Sequence, residues 1–455
     1  MQIVDSAIFK TFVASNQRSK LHAERARQVI PTGMSRALLR HPPFPAYSAS
    51  GAGVHTTDLD GNVRLDFHGN YAALIHGHAH PQISAAVTDQ LSRGSAYSSP
   101  ASQELRLAEH LCSRVKSVQR VLFNNSGTEA VLVALRAARA LTGRSRIGKF
   151  EGGYHGFSDY VMVGGHATHG AEAMRGLLPI AADTHGLPPS VKTDAVLMRY
   201  NDIDSVRTAI ERYGTEMAAI IVEPMLGSGG VIPAKAEFLT ALREETFRAG
   251  IVLICDEVIT LRQAYGGLQS SYALEPDLTT FAKIIGGGFP IGAVGGSASA
   301  MSVFDEQITD RHVANLGTFS ANPVSAVAGI TALELLDEAA IMRLARLGDR
   351  ARQGLIDVVR RHSLRAQITG LGSMFQIHWT PDPVTDARAA DSADPNLKLL
   401  TFLGLANRGI QTSMRGMCCL STPMRESDVE TLVAAFEDTV HELSHEGLDI
   451  RMSRP

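Results

Sequence analysis

The stretch PDLTTFAKIIGGGFPIGAVGG (276–296) contains two apolar runs separated by three consecutive glycines, and a lysine lies inside the first run. A lysine in such surroundings is expected to have a partly desolvated amine, which favours the neutral, nucleophilic form. The alternative is a surface lysine whose stem lies along apolar side chains while its amine reaches water. The glycines allow a ligand to approach the backbone closely. Lys283 is therefore a candidate nucleophile beside a ligand site.

Apolar runs of the same kind recur on the N-terminal side of this stretch. Runs rich in Val and Ile are typical of strands that are buried on both faces. Helical patterns lie between them, for example over Glu129–Leu141 and Glu237–Ala249. The alternation predicts an α/β fold, with a mostly parallel central sheet flanked by helices and a smaller α+β domain. The clearest predicted strands are Val121–Phe123, Ala218–Val222, Ile251–Cys255 and Ile291–Gly295.

The rest of the chain divides around this region. Alternation on both sides of Asp60-Gly61-Asn62 predicts a hairpin over Val54–Phe67. After the central region, the pattern predicts one long helix over Val324–Ala345 and an exposed loop over 381–396. Three sections are predicted: an N-terminal segment (1–70) that belongs to the small domain, a large domain (71–323) and a C-terminal small α+β domain (324–455).

Polar residues follow two of the predicted strands, where ligands bind in an open α/β sheet. NNSGTEA (124–130) offers hydroxyls and free N–H groups at a helix start, which suits a phosphate, although a simple N-cap is the alternative. Asp256 and Glu257 end another buried strand, where a carboxylate needs a cationic partner. An ion pair or a helix cap is the alternative there. Together with Lys283, these groups match a cofactor that has a phosphate, a pyridine nitrogen and an aldehyde.

Several longer motifs, in this order, carry a resemblance to a known family. The sequence resembles the class III, fold-type-I aminotransferases, and within them the glutamate-1-semialdehyde aminomutase-like branch. The resemblance is strong from about residue 54 to residue 323 and weaker to the end. The motifs are NNSGTEA (124–130), KFEGGYHG (149–156), VEPMLGSGG (222–230), ICDEV (254–258), PDLTTFAKIIGGGFPIGAVGG (276–296) and GTFSANP (317–323).

The resemblance implies pyridoxal 5'-phosphate as the cofactor and assigns it a set of residues. Lys283 would bind the cofactor as a Schiff base and move the proton, and Asp256 would pair with the pyridine nitrogen. Thr318 would reach the phosphate of the neighbouring subunit, which implies a homodimer with shared active sites. The other implied cofactor-binding residues are Ser126, Gly127 and Thr128 at the phosphate, Tyr154, His155 and Val258 at the ring, and Asn201 and Glu223 in the pocket.

The candidate substrate-binding residues favour an amino-acid:2-oxo-acid aminotransferase that acts on a β- or aryl-substituted amino acid. Arginine binds a carboxylate through two parallel hydrogen bonds, and Arg36, Arg40 and Arg415 are the candidates. Tyr71 is a further candidate substrate-binding residue. The segment around Arg415 and the N-terminal arginine resemble β-phenylalanine-type aminotransferases, although surface ion pairs are the alternative. Glutamate-1-semialdehyde aminomutase is the second candidate. The segments PTGMSRALLR (31–40), GNYAA (69–73) and TSMRGMCCLSTPM (412–424) depart from that enzyme's pattern.

Composition limits the other classes of function. A net charge of −3 with 20% charged residues gives no basic excess for nucleic acid or an anionic membrane. Four cysteines without disulfide-like spacing, and no signal peptide or membrane span, predict a cytoplasmic protein. The histidines of HGHAHP (76–81) are expected to be structural, so no metal is predicted. A non-catalytic cofactor-binding protein is a third, less favoured interpretation.

Overall fold

A computed structural model describes residues 3–165 and 177–452. Among these residues, none of the helices combines the length and the apolar character needed to cross a bilayer. The α-helices are α1 Ala7–Ser15, α2 Gln17–Ala26, α3 Gly69–Ala72, α4 Pro81–Arg93, α5 Ser102–Arg114, α6 Gly127–Thr142, α7 Val191–Asp194, α8 Ile203–Tyr213, α9 Ala236–Ala249, α10 Leu268–Ser271, α11 Pro323–Leu335, α12 Glu338–Arg361, α13 Ala387–Asp391, α14 Pro395–Asn407 and α15 Glu426–His445.

The strands form four described sheets. A seven-stranded sheet has the order β4-β12-β11-β10-β7-β5-β6, and the others have the orders β1-β2-β3-β15, β13-β14-β16 and β8-β9. The strands are β1 Ser48–Ala52, β2 His55–Asp58, β3 Val63–Asp66, β4 Arg120–Asn124, β5 Arg146–Phe150, β6 Ala195–Met198, β7 Met217–Val222, β8 Met225–Leu226, β9 Ile232–Pro233, β10 Val252–Asp256, β11 Leu278–Ala282, β12 Gly292–Gly296, β13 Gln367–Leu371, β14 Met374–His378, β15 Ile410–Gln411 and β16 Met417–Cys419.

The seven-stranded sheet confirms the predicted α/β fold. Five of its strands, β11, β10, β7, β5 and β6, pair in parallel, while β12 is antiparallel to both of its neighbours. The connection from Lys283 to Ile291 explains the reversal, because a parallel pair needs a crossover of a dozen or more residues. All residues of β7, β10 and β11 are buried, as expected for a sheet that is covered on both faces.

Helix α6 provides the main apolar layer on this sheet. Its buried residues Ala130, Ala134 and Ala138 are small, so the helix packs closely against the strands. The opposite end of the helix stops at Gly143, which has a φ of 70° and takes the left-handed conformation common after helix ends. The first residue of the helix, Gly127, follows β4 closely and therefore lies at the carboxyl edge of the sheet.

The chain groups into two compact units. Unit 1 comprises Met1–His80, Met342–Val384 and Ser392–Pro455, and unit 2 comprises Pro81–Ile341 and Thr385–Asp391. Unit 2 contains the seven-stranded sheet. In unit 1, β2 and β3 form the predicted hairpin, and α14 packs on α1 and α15. The predicted boundaries at residues 71 and 324 remain a proposal about folding domains.

Two predictions for the C-terminal part were wrong. The helix predicted over Val324–Ala345 is two helices, because Asp337 accepts a hydrogen bond from the Ala340 N–H (2.7 Å) and starts α12 afresh. The stretch 381–396 is not simply an exposed loop. Its middle forms α13, where Ala387 is buried and Arg388 makes a two-pronged ion pair with Glu151 in unit 2.

Candidate active site

The carboxyl ends of β10 and β11 bring the two main candidate residues to one edge of the sheet. The strands pair in parallel, with Asp256 opposite Thr280, and Lys283 begins the turn directly after β11. Lys283 is half-buried and has a φ of 52°. A non-glycine residue rarely adopts this left-handed conformation, and such strain is concentrated at functional sites.

Asp256 forms a buried pair with His155. The His155 Nδ1 and the Asp256 Oδ2 are 2.7 Å apart, and the side chains are 1% and 3% exposed. The second carboxylate oxygen accepts a hydrogen bond from the Val258 N–H at 3.1 Å. Burial lowers the pKa of His155, so the neutral ring is favoured. Because an ionised carboxylate only accepts hydrogen bonds, Nδ1 carries the ring proton, and Nε2 has no partner among the described residues.

Glu223 follows β7 at the same edge of the sheet. Its two oxygens accept hydrogen bonds from the Tyr154 N–H and the Gly227 N–H, each at 2.9 Å. Burial is the main cause that raises the pKa of Glu223 well above its usual range, and the charge of Asp256 is the second. A second buried acid therefore fixes the backbone of the Tyr154–His155 segment.

Lys149 is a site residue that the sequence reasoning did not single out, although it lies in the KFEGGYHG motif. It is fully buried in β5, and its Nζ donates to the carbonyls of Gly153 (2.9 Å), Val161 (2.9 Å) and Val163 (2.7 Å). Burial lowers the pKa of Lys149 from 10.5 to about 8. The amine thus ties down both ends of the segment that carries His155. A lysine close to the apolar residues Ile147 and Phe150 of the strand was the available signal.

The N-terminus of α6 lies against the ends of β10 and β11. A Cβ atom on Gly127 would be 3.3 Å from the Val258 side chain and 3.4 Å from the Ala282 side chain. Ser126 is the N-cap, as the simpler alternative proposed, because its Oγ accepts from the Glu129 N–H at 3.1 Å. The first N–H groups of a helix lack acceptors within that helix. Ser126, Gly127 and Thr128 can therefore still present donors to an anion.

Glu257 forms its hydrogen bonds outside the site, unlike its neighbour Asp256. Its carboxylate accepts hydrogen bonds from the Thr260 hydroxyl (2.5 Å) and from the Leu268 and Gln269 N–H groups at the start of α10. Burial raises the pKa of Glu257 to about 7. Only one of the two candidate carboxylates therefore faces His155, and the other has the structural role that was the alternative.

Three further predicted residues of unit 2 occupy different surroundings. Tyr154 is 40% exposed. The Asn201 amide is used by a neighbouring loop, since it donates to the Pro233 carbonyl (3.2 Å) and accepts from the Lys235 N–H (2.8 Å). Thr318 lies in an exposed turn. Their roles toward a cofactor stay predictions.

The predicted substrate residues belong to unit 1. The Arg36 Nη1 donates to the Asn70 Oδ1 at 2.6 Å, and its guanidinium lies 5.7 Å from the centroid of the Tyr71 ring. Asn70 and Tyr71 have φ values of 53° and 56°, so this segment is strained. Arg40 is exposed after a short 3-10 turn, and Arg415 lies half-buried in the turn between β15 and β16.

The comparisons with known proteins identify the family of the chain. The profile of the class-III aminotransferases matches residues 39–420, and the chain belongs to this family. A glutamate-1-semialdehyde 2,1-aminomutase from Methanothermobacter thermautotrophicus is 39% identical over 92% of this chain and 98% of that protein. The predicted family, and with it an enzyme that depends on pyridoxal phosphate, is confirmed.

Two solved structures are similar to the whole chain. An ω-transaminase from Sphaerobacter thermophilus has a TM-score of 0.91 and 44% identity, covering 94% of this chain and 98% of that one. A β-phenylalanine aminotransferase from Variovorax paradoxus has a TM-score of 0.89 and 34% identity, covering 99% of each chain. The predicted fold type is therefore confirmed as well.

Proposed function

We propose that this enzyme moves an amino group from a β- or aryl-substituted amino acid to a 2-oxo acid such as 2-oxoglutarate. The observation that carries the proposal is the buried Asp256–His155 pair at the same sheet edge as Lys283. The pair supplies a fixed negative charge, and the lysine supplies an amine. An amino-transfer enzyme needs both.

The residues at this edge fit pyridoxal phosphate. Lys283 supplies the amine for the aldehyde, and Asp256 supplies the carboxylate for the pyridine nitrogen. The close approach of Gly127 to Val258 and Ala282 leaves little room for a side chain where the phosphate would meet the α6 N-terminus. The His155 Nε2 and the Thr280 Oγ1 are buried polar atoms without partners in the described parts of the chain, as expected beside a polar ligand.

The residues of the site have separate roles in the proposed reaction. The bound cofactor supplies an electron sink for the carbon that carries the amino group. Asp256, which accepts hydrogen bonds from the His155 Nδ1–H and the Val258 N–H, would pair with the ring nitrogen of the cofactor and keep a proton on it. Lys283 accepts the substrate proton on its Nζ and returns it, as general base and acid. Glu223 and Lys149 hold the Tyr154–His155 segment so that the Asp256 pair keeps its position.

The substrate preference rests on the arginines of unit 1. Arg36, stacked near Tyr71, and Arg415 are proposed to bind the substrate carboxylate through paired hydrogen bonds. The strained backbone at Asn70 and Tyr71 supports a functional role for this segment. The similarity to the Variovorax paradoxus β-phenylalanine aminotransferase over 99% of both chains supports the same substrate class.

Glutamate-1-semialdehyde 2,1-aminomutase activity is the second candidate. The 39% identity to the Methanothermobacter thermautotrophicus aminomutase over 98% of that protein favours it. In this reaction the amino group stays within one substrate, so no 2-oxo acid is consumed. The two candidates therefore differ in their need for an acceptor.

The protein is further proposed to be a cytoplasmic homodimer in which Thr318 reaches the phosphate of the other subunit. Leu316 and Phe319, on either side of Thr318, are 88% and 60% exposed. Large apolar side chains exposed this close together fit a surface that a second copy covers. Light scattering should give twice the chain mass of 48.7 kDa, and a single-chain mass would contradict the dimer.

The test is a paired assay of the cofactor-loaded enzyme. One reaction contains racemic β-phenylalanine and 2-oxoglutarate, the other contains glutamate-1-semialdehyde alone, and Lys283→Ala is the control in both. Glutamate in the first reaction is the expected result. Isomerised semialdehyde without glutamate would establish the aminomutase instead. If neither product forms although the cofactor is bound, the proposed substrate class is wrong.

A further inference from the structure

A second cluster of side chains with ligand chemistry lies in unit 1. His362 directly follows the end of α12, and Glu437 and His441 are four residues apart on α15, so they occupy one face of that helix. Their potential ligand atoms all lie within 4.8 Å of one another. Among the described residues, this is the one group of three such side chains that meets this distance.

The geometry of the three side chains is close to that of a bound transition metal. The His362 Nε2 is 2.7 Å from the Glu437 Oε1, and the two histidine rings lie 4.8 Å apart at an angle of 85°. A tetrahedral Zn²⁺ with bonds of about 2.0–2.1 Å places its ligand atoms roughly 3.3 Å apart. The His362 and Glu437 ligand atoms are closer together than this, and all three ligand atoms lie within 4.8 Å of one another, so small side-chain rotations would bring them onto one ion.

Arg361 does not block such an ion. Its Nη2 donates to the Glu437 Oε2 at 2.8 Å, and its Nε donates to Oε1 at 3.2 Å. A metal bound to Oε1 would take the place of the hydrogen bonds that this oxygen accepts from His362 and from the Arg361 Nε. It would leave Oε2 with the Arg361 Nη2, in the manner of outer partners that orient metal ligands.

We infer that His362, Glu437 and His441 form a zinc-binding site that joins the end of α12 to α15. Among the described residues, the histidines of the HGHAHP segment do not belong to such a group of three potential ligands. The His78 Nε2 is paired with Asp66 at 2.7 Å, and the His76 Nδ1 with the Thr422 hydroxyl at 2.9 Å. A partly exposed three-ligand site leaves a fourth position for water. The site is independent of the proposed amino transfer, and it goes against the sequence-based expectation of no metal.

The experiment is a zinc titration of metal-free, cofactor-loaded enzyme by calorimetry, with thermal unfolding in parallel. The variants are His441→Ala and His362→Gln. The matched control is His110→Ala, since the His110 Nε2 also faces a single carboxylate, Glu334, at 3.4 Å. We expect one zinc per chain in the wild type and in the control, and zinc affinity about 10-fold or more weaker in the other two variants.

Zinc should also raise the unfolding midpoint of the wild type and of the control, because a ligand that binds only the folded state stabilises it. At the same zinc concentration, it should raise the midpoint of His441→Ala by less. Equal zinc binding by all four proteins, or no saturable binding by the wild type, would overturn the site. Aminotransferase activity should be unchanged in the variants, so failure of the zinc site and failure of the proposed reaction are measured separately.

Discussion

Lys149 and Lys283 both lie in apolar stretches at one edge of the seven-stranded sheet, yet their surroundings differ. Lys149 is fully buried within β5, and three carbonyl oxygens lie within 2.9 Å of its amine. Lys283 is half-buried, begins a turn in a left-handed conformation and precedes three glycines. An ammonium group has three N–H donors, so the amine of Lys149 is fully used by the protein.

The difference shows why an apolar neighbourhood alone does not identify a catalytic lysine. A desolvated amine becomes reactive only if its lone pair can reach a ligand. At Lys149 the backbone surrounds the amine and makes it a structural anchor for the Tyr154–His155 segment. Lys283 instead follows the end of β11 in a half-buried turn, at the sheet edge where the α6 N-terminus also lies.

The largest expected effect separates the two lysines directly. Lys283→Ala should lower kcat by about 10⁴-fold or more, because it removes both the cofactor attachment and the proton carrier. Lys149→Met, which keeps most of the side-chain volume, should lower kcat by no more than about 10-fold, because Lys149 acts through the segment it holds. Initial rates of glutamate formation with equal amounts of cofactor-loaded protein give both values.

A Lys283→Ala protein that is as active as Lys149→Met would remove the distinction between the two lysines. Retention of the cofactor after dialysis is the control. It should fall in Lys283→Ala and stay close to wild type in Lys149→Met.

The next effect compares the two adjacent carboxylates after β10. Asp256→Asn should lower kcat by about 10²-fold, because the fixed charge that faces the cofactor nitrogen is lost. Glu257→Gln should stay within a few-fold of wild type, since burial raises the pKa of Glu257 to about 7 and the neutral amide resembles the neutral acid. Steady-state rates at pH 7 test the pair, and equal losses in the two variants would show that Asp256 has no special position.

The pH dependence of stability tests the burial of Lys149. Its pKa is about 8 in the folded chain against an ordinary 10.5, so the unfolded chain binds more protons between these pH values. The contribution of Lys149 to the free energy of unfolding should therefore rise between pH 8 and pH 10.5, by on the order of 3 kcal/mol.

The measurement is the difference in unfolding free energy between the wild type and Lys149→Met, from urea titrations at several pH values. Because the other titrating groups are shared, the difference should grow in favour of the wild type between pH 8 and pH 10.5. A flat or falling difference would mean that the amine is not desolvated.

The smallest effect extends the comparison to the cations of unit 1. Arg415→Ala should raise the KM for the carboxylate substrate by about 10-fold with little change in kcat, the result expected when binding is lost equally from the ground state and the transition state. Arg40→Ala, at an exposed arginine, is the control and should leave KM unchanged. An unchanged KM in Arg415→Ala would exclude Arg415 from substrate binding.

Much of the unit 2 sheet was predictable because its strands are continuous apolar runs. β4, β7, β10 and β12 each overlap a predicted strand. The break between α11 and α12 was missed because apolar residues continue on both sides of it, although Asp337 is a typical N-cap residue. Helix α13 was missed because its burial depends on Glu151, which is far away in the sequence.

The candidate site was partly predictable for a related reason. The long motifs contained Lys283, Asp256 and the 126–128 segment, whose roles follow from chemistry at strand ends. The three carbonyl acceptors of Lys149 could not be read from the sequence, because a hydrogen-bond partner is set by chain geometry rather than by residue type.

By itself, the sequence determined the family, the alternation of buried strands and helices, and the residue types that meet at the sheet edge. These features are local, or they are carried by contiguous motifs. Only the tertiary structure decided that Asp256 faces His155 while Glu257 caps α10, and that His362 meets Glu437 across 75 residues of sequence. Such pairings depend on where strands and helices end in space, which no local pattern of residues records.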